Sequence, residues 1–132
     1  MIRVYQTKFV DKHGTGNCMN ACIASLLERP LDDVAGILPE DDGVWWLNWK
    51  KWLAKEGYRL ELHPQGQPPM GYAIASIDTD RVFPDGHESA GKPIRHACIV
   101  FDGMMTHDPY PKPNPYGVSR VHHYYSISPL NS

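Results

Sequence analysis

Two short segments of this chain hold the parts of a covalent catalyst. The first is Gly14-Thr15-Gly16-Asn17-Cys18, continuing into Met19-Asn20-Ala21-Cys22-Ile23-Ala24-Ser25-Leu26-Leu27. The second runs from Arg95-His96-Ala97-Cys98 through Asp102-Gly103 to Thr106-His107-Asp108-Pro109. A thiol in the first turn of a helix sits near unpaired backbone N–H groups and the positive end of the helix dipole, and both favour the thiolate. An imidazole can take the thiol proton, and a carboxylate can orient the imidazole. The same N–H groups can donate to the oxyanion of a tetrahedral intermediate. Cys18, His96 and Asp108 are the candidate nucleophile, base and orienting group.

Each of these residues also has a plainer reading. A helical cysteine is most often a small hydrophobe, but the Gly-Thr-Gly-Asn lead-in lets a substrate approach the backbone closely. Cys22 lies one turn further along the same face and reads as core. Cys98 alternates with His96 and Val100 and reads as core or site wall. His96 in an apolar strand is either a hydrogen-bonded structural residue or a general base. His107, next to Asp108, points to the other face of a regular strand, and turn formation explains Asp102. Cys18 and Cys22 could share a metal ion with His96 or Cys98. The chain has no C-x-x-C pair and no H-E-x-x-H, and His87-Glu88 lacks the cysteine partner of a zinc deaminase. No metal and no cofactor is expected.

These side chains need elements to hold them. Residues 1–10 read as a short strand or arm, and Asp11 to Gly16 as a turn. Asn17 is a suitable N-cap for a buried helix carrying Cys18, Cys22 and Leu26, which Pro30 stops. A short helix is expected from Asp33 to Ile37. Another is expected from Val44 to Lys55, ending at Gly57, with Trp45, Trp49, Trp52 and Leu53 at helical spacing. Trp45 and Trp46 cannot share a face, so one of them could reach a cleft rim. Strands are expected at Tyr58–Leu62, Gly71–Ile77, Ile94–Val100, Met104–Asp108 and Val118–Ile127. Residues 78–93 read as a long exposed loop, and with the Tyr72 region as a second cleft wall. The proline-rich stretch Pro109–Gly117 cannot be a central strand. Helices first and antiparallel strands afterwards give an α+β class, with a helical half packed on the sheet in a single domain over residues 1–132.

The hairpin register decides whether His96 meets Asp108. A three-residue loop Phe101-Asp102-Gly103 pairs Val100 with Met104 and sets His96 opposite Asp108. A two-residue Asp102-Gly103 turn puts them on opposite faces. The triad therefore requires the longer loop, or a bulge with the same effect.

Composition narrows the function. The formal charge is -2 over 132 residues, and no basic cluster of five or more residues occurs, so neither nucleic acid nor an anionic membrane is an expected partner. No apolar stretch reads as a signal peptide or a membrane span. Three cysteines without a disulfide spacing fit a reducing, cytoplasmic setting.

The pattern Gln6, Asn17-Cys18-x-x-Ala21-Cys22-x-x-x-Leu26-Leu27, Pro30-Leu31-Asp32-Asp33-Val34, His96-Ala97-x-x-Val100 and His107-Asp108-Pro109 resembles small papain-like cysteine hydrolases. The similarity extends to bacteriocin-processing, double-glycine-leader peptidases and to small uncharacterised cysteine hydrolases of phages and bacteria. The resemblance implies a papain-like fold and a thiol hydrolase of an amide, peptide or isopeptide bond in a peptide or protein substrate. It implies Cys18 as nucleophile, His96 as base and acid, Asp108 as orienting group and Gln6 as oxyanion donor. The cytoplasm expected from the cysteines is the host's if the chain is phage-encoded. Asn17 and Gly16 are further candidates for oxyanion or substrate contact. The chain departs from the leader peptidases in placing Gln6 twelve residues before Cys18, and in having Asn17-Cys18-Met19 where they have Asp-Cys-Gly. The reading from another class is a non-catalytic binding protein, such as a phage-encoded inhibitor of a host system, that keeps the fold and holds a partner in its cleft or on the Trp helix.

Overall fold

The structure, a computed structural model, describes residues 1–10, 16–34, 45–111 and 120–131, apart from the side chains of Trp45, Trp46 and Asp80. The expected turn at 11–15, residues 35–37 of the short helix, and 112–119 of the proline-rich stretch and closing strand lie outside the described residues. Within them the class is α+β. Helix α1 (Cys18–Leu27), a 3₁₀ turn (Leu31–Val34) and helix α2 (Trp45–Lys55) precede strands β1 (Tyr58–Pro64), β2 (Tyr72–Val82), β3 (Pro93–Phe101), β4 (Met104–His107) and β5 (Arg120–Pro129). The strands form one sheet in the order β1-β5-β2-β3-β4, and each neighbouring pair is antiparallel.

α1 is buried without a break from Met19 to Ser25. It has no solvated face, so its short, apolar sequence is set by packing. Glu28 adopts a left-handed backbone (φ 56°) and ends the helix before Pro30, with Arg29 N–H donating to Ala24 O at 3.0 Å. α2 ends as its sequence predicts, in a Gly57 at φ 92°. Trp49 and Leu53 are fully buried, and Trp52 packs against the same core. The side chains of Trp45 and Trp46 lie outside the description. The core joins Cys22, Ile23 and Ala24 of α1 and Trp49 and Leu53 of α2 to Ile74, Ile99 and Tyr125 of the sheet. Each large side chain buried there contributes roughly 1.5–3 kcal/mol.

Two expectations change. β2 does not end at Ile77 but continues to Val82. Two of its polar residues are paired: Asp78 forms ion pairs with Arg95 and Arg120, and Thr79 Oγ1 donates to Ile94 O at 2.6 Å. The hairpin turn is the two-residue Asp102-Gly103, both at positive φ, which pairs Phe101 with Met104 rather than Val100 with Met104. Asp102 is held there by Gly71, whose N–H donates to its carboxylate at 2.6 Å. A bulge between Ile99 and Val100 then shifts the register, so that Ile99 lies across from His107. Asp108, the next residue, then reaches His96, its Oδ1 lying 2.7 Å from Nε2. The bulge undoes what the short turn alone would have done.

Candidate functional site

Cys18 begins α1 at the open edge of β3. Pairing between β3 and β4 stops at Ile99 and His107, and beyond that point the edge of β3 meets the start of the helix. The Cys18 sulfur is hydrogen-bonded to His96 and to the backbone N–H groups of Ala97 and Met19. Burial, the largest influence, opposes ionisation. The His96 hydrogen bond and charge, with the two N–H donors, outweigh it and hold the thiol below its ordinary pKa. For His96, burial again acts first, favouring the neutral ring. Hydrogen bonds to Asp108 and Cys18 and their charges overcome it and lift the imidazole to about 9. Opposite shifts on touching groups favour a thiolate–imidazolium pair.

His96 Nε2 lies 2.7 Å from Asp108 Oδ1, which leaves Nδ1 for Cys18. The same Asp108 oxygen accepts the Tyr110 N–H at 2.9 Å, so the carboxylate is fixed from two directions. Tyr110 also sets its ring edge-on to His96 at 6.4 Å. His107 is occupied elsewhere, with Nε2 2.8 Å from Val4 O. Cys22 is pushed well up by burial and then by the charges of Cys18, Cys98 and Asp108. Cys98 is pushed up to about 12 by burial, then by Asp108 and Cys18.

Gln6, Gly16 and Asn17 come together through the N-terminal arm, which has no regular secondary structure. Asn17 occupies the N-cap position but makes no capping bond. Its Oδ1 accepts the N–H groups of Thr7 (3.0 Å) and Lys8 (2.9 Å), and its Nδ2 donates to Thr7 Oγ1 at 3.0 Å. This clasp folds the arm back beside Cys18 and closes the twelve-residue gap. Gly16 makes room for it: a Cβ there would stand 3.0 Å from Lys8 O and 3.3 Å from Gln6 Nε2. Gln6 is buried; its N–H donates to Pro109 O at 2.9 Å and its Nε2 to Lys8 O at 3.0 Å. Gln6 Oε1 has no hydrogen-bond partner among the described residues.

Gln6, Gly16, Cys18 and His96 line a cleft of about 980 Å³. Its far wall comes from the 78–93 segment, including Thr79, Phe83 and His87, and Tyr110 flanks the His96 end. Tyr72 is not part of it; that side chain borders a separate hollow with Met1, Leu26 and Met70. Sequence reading missed the cleft floor, formed by Ser76, Asp78, Arg95, Arg120, His122 and Tyr125. The available signal was Arg95, a cation beside His96 in an otherwise apolar strand. Among the described residues no group of three or more His, Cys, Asp or Glu is arranged to hold a metal ion, and no helix is long and apolar enough to cross a membrane. Comparison with protein-family models, curated proteins and solved structures returned no match.

Proposed function

We propose that the protein is a papain-like thiol hydrolase that cleaves an amide, peptide or isopeptide bond through Cys18, His96 and Asp108. The observation that carries this reading is the Cys18–His96 contact, with the thiol pKa lowered, the imidazole raised and Asp108 on the remaining ring nitrogen. The Cys18 thiolate attacks the carbonyl carbon, and the C=O electron pair moves onto oxygen. The Cys18 backbone N–H, unpaired within the helix, and a Gln6 amide hydrogen are the proposed donors to that oxyanion. Asn17 serves the site indirectly, because its side chain is committed to the arm. His96 gives its proton to the leaving amine as the C–N bond breaks, leaving a thioester. Neutral His96 then takes a proton from water, the hydroxyl adds, and the C–S bond breaks to return thiolate and imidazolium. A helix opening at the nucleophile and packed on the strand of the base supports the papain-like assignment. Three free thiols suit a reducing compartment, so the cytoplasm is the proposed location, the host's if the chain is phage-encoded.

The test is intact-mass profiling at pH 6.5 with peptidyl and ubiquitin-like electrophiles, on wild type and Cys18→Ala, alongside turnover of fluorogenic peptides. Labelling confined to Cys18, and turnover lost in Cys18→Ala, is the expected result. A Cys18 no more reactive than Cys22 or Cys98 would overturn the hydrolase and leave the non-catalytic binding protein.

A further inference from the structure

The helix-facing side of the sheet changes character in three successive cross-strand rows. Ile99, Ile74 and Tyr125 form the first and lie in the core under α1. Ala97, Ser76 and His123 form the second. Arg95, Asp78 and Arg120 form the third. The second row adjoins the nucleophile, since the Ala97 N–H reaches the Cys18 sulfur. Its Ala and Ser side chains are small, so the surface dips there. The third row lies one pleat repeat further out, roughly 7 Å along the strands, about the span of two residues of extended peptide.

That outer row is built and held. Asp78 Oδ1 binds Arg95 Nε at 3.3 Å and its Oδ2 binds Arg120 Nε at 3.5 Å, so one carboxylate aligns two guanidinium groups and leaves an excess positive charge. Arg95 is held from a second side, with its NH2 3.0 Å from His122 Nε2. His122 sits at a bulge in β5 where the register with β2 shifts. Its Nδ1 is 2.7 Å from His123 Nδ1, and His123 Nε2 is 2.7 Å from the buried Tyr125 hydroxyl. An arginine has no acceptor, so His122 Nε2 must accept from it and His122 Nδ1 carries the hydrogen. His123 Nδ1 then accepts, and His123 Nε2–H donates to Tyr125. The chain runs in one direction, from guanidinium to phenol. It anchors Arg95 without cancelling its charge. Both arginine side chains remain exposed, at 52% and 71%.

The charge of the cleft contrasts with that of the whole chain. Among the described lining residues, Arg81, Lys92, Arg95 and Arg120 face Asp78 and Glu88, whereas the chain carries a formal -2. Two pre-aligned guanidinium groups match a carboxylate in charge and geometry.

We propose that Arg95 and Arg120 form a carboxylate subsite of this cleft, and that the substrate is a peptide with an acidic group about two residues from the bond at Cys18. This rests on the hydrolase reading for its link to Cys18. The carboxylate is that of an Asp or Glu side chain or of a chain terminus.

Equilibrium binding to Cys18→Ala tests the subsite without any thiol chemistry. The probes are fluorescein-labelled Gly/Ala hexapeptides with one Glu at each position in turn, their Gln counterparts, and an all-Gly/Ala peptide with a free or amidated C-terminus. At least one carboxylate probe should bind about tenfold tighter than its neutral counterpart. That ratio should fall as salt rises from 50 to 500 mM, and collapse in Arg120→Gln and Arg95→Gln combined with Cys18→Ala. A preference for Glu probes identifies a side chain; one confined to the free C-terminus identifies a chain end. Equal affinity of every carboxylate probe and its neutral partner overturns the subsite, whatever the thiol does. So does a preference that survives both arginine substitutions. Iodoacetamide labelling of Cys18 in the otherwise wild-type protein reports separately on the hydrolase reading.

Discussion

Cys18 and Cys22 are one helical turn apart on α1, and their thiols are driven in opposite directions. Cys18 is partly exposed and its pKa is lowered; Cys22 is fully buried and its pKa is raised well above the ordinary value. Burial is the first influence on both. What separates them is hydrogen bonding: Cys18 has His96, the Ala97 N–H and the Met19 N–H, whereas the charges acting on Cys22 are negative. Helix position alone does not lower the pKa of a thiol here. The edge of β3 does, by presenting an imidazole and an N–H where β4 has stopped.

The largest effect should come from removing the imidazole. His96→Ala should slow iodoacetamide labelling of Cys18 at pH 6.5 by about 10²-fold or more, toward the rate of an ordinary thiol. Labelling within threefold of wild type would erase the contrast with Cys22 and locate the thiolate's support in the helix. In the wild type, Cys18 should label about 10²-fold faster than Cys22 or Cys98, read by peptide mass mapping in the folded protein. Asp108→Asn retains an oxygen for the Tyr110 N–H and loses the charge beside His96. It should leave the fold intact and lower turnover by roughly 10²–10⁴-fold, by analogy with triads in which the carboxylate orients the base.

A smaller effect lies in stability against pH. His96 has a pKa above its unfolded value, so its contribution is complete below 6.5 and is lost as pH rises through about 9. Cys18 has a pKa below its unfolded value of 9.0, so its contribution is present above that and is lost as pH falls through the folded pKa. Between the folded Cys18 pKa and 9 the two slopes oppose each other, and the urea midpoint of wild type should vary less there than His96 alone would make it. Cys18→Ala loses the opposing slope and keeps only the part of the His96 shift that Asp108 supplies, so its midpoint should fall as pH rises above 6.5. Parallel curves for the two proteins would mean that the groups are not paired. Smallest is Asn17→Ala, which removes the clasp and should cost about 1–2 kcal/mol by urea denaturation. If Gln6 is an oxyanion donor, the same change should reduce turnover while leaving iodoacetamide labelling of Cys18 within a few fold.

The sequence carried the α+β order, the extent of α1 and the C-terminus of α2, because short buried helices and a terminal glycine are local signals. It identified Cys18, His96 and Asp108 by residue type and marked the register as the condition for their meeting. It did not carry the route to that register. The Asp102-Gly103 turn is a strong local preference, and the compensating bulge at Ile99–Val100 depends on how β4 packs, which no local pattern records. Residues 78–82 read as loop because they are polar. Their partners, Arg95 and Arg120, lie far along the chain. Asn17 has the residue type of an N-cap, and only tertiary contact with Thr7 and Lys8 redirects its side chain.

The arm does more than bring Gln6 to the cleft. Val4 takes a hydrogen bond from His107, Gln6 gives one to Pro109, and Thr7 and Lys8 are tied to Asn17. The arm's ties to His107 and Pro109 thus form only after residue 109 has been made, whereas those to Asn17 need no residue beyond α1. Cys18 likewise meets its imidazole only when β3 is in place. Contacts of such long sequence separation close slowly. During synthesis the thiol therefore lacks these contacts until β3 has been made, and its reactivity becomes a timer for the docking of α1 against β3. Pulse alkylation of arrested nascent chains would read that timer directly.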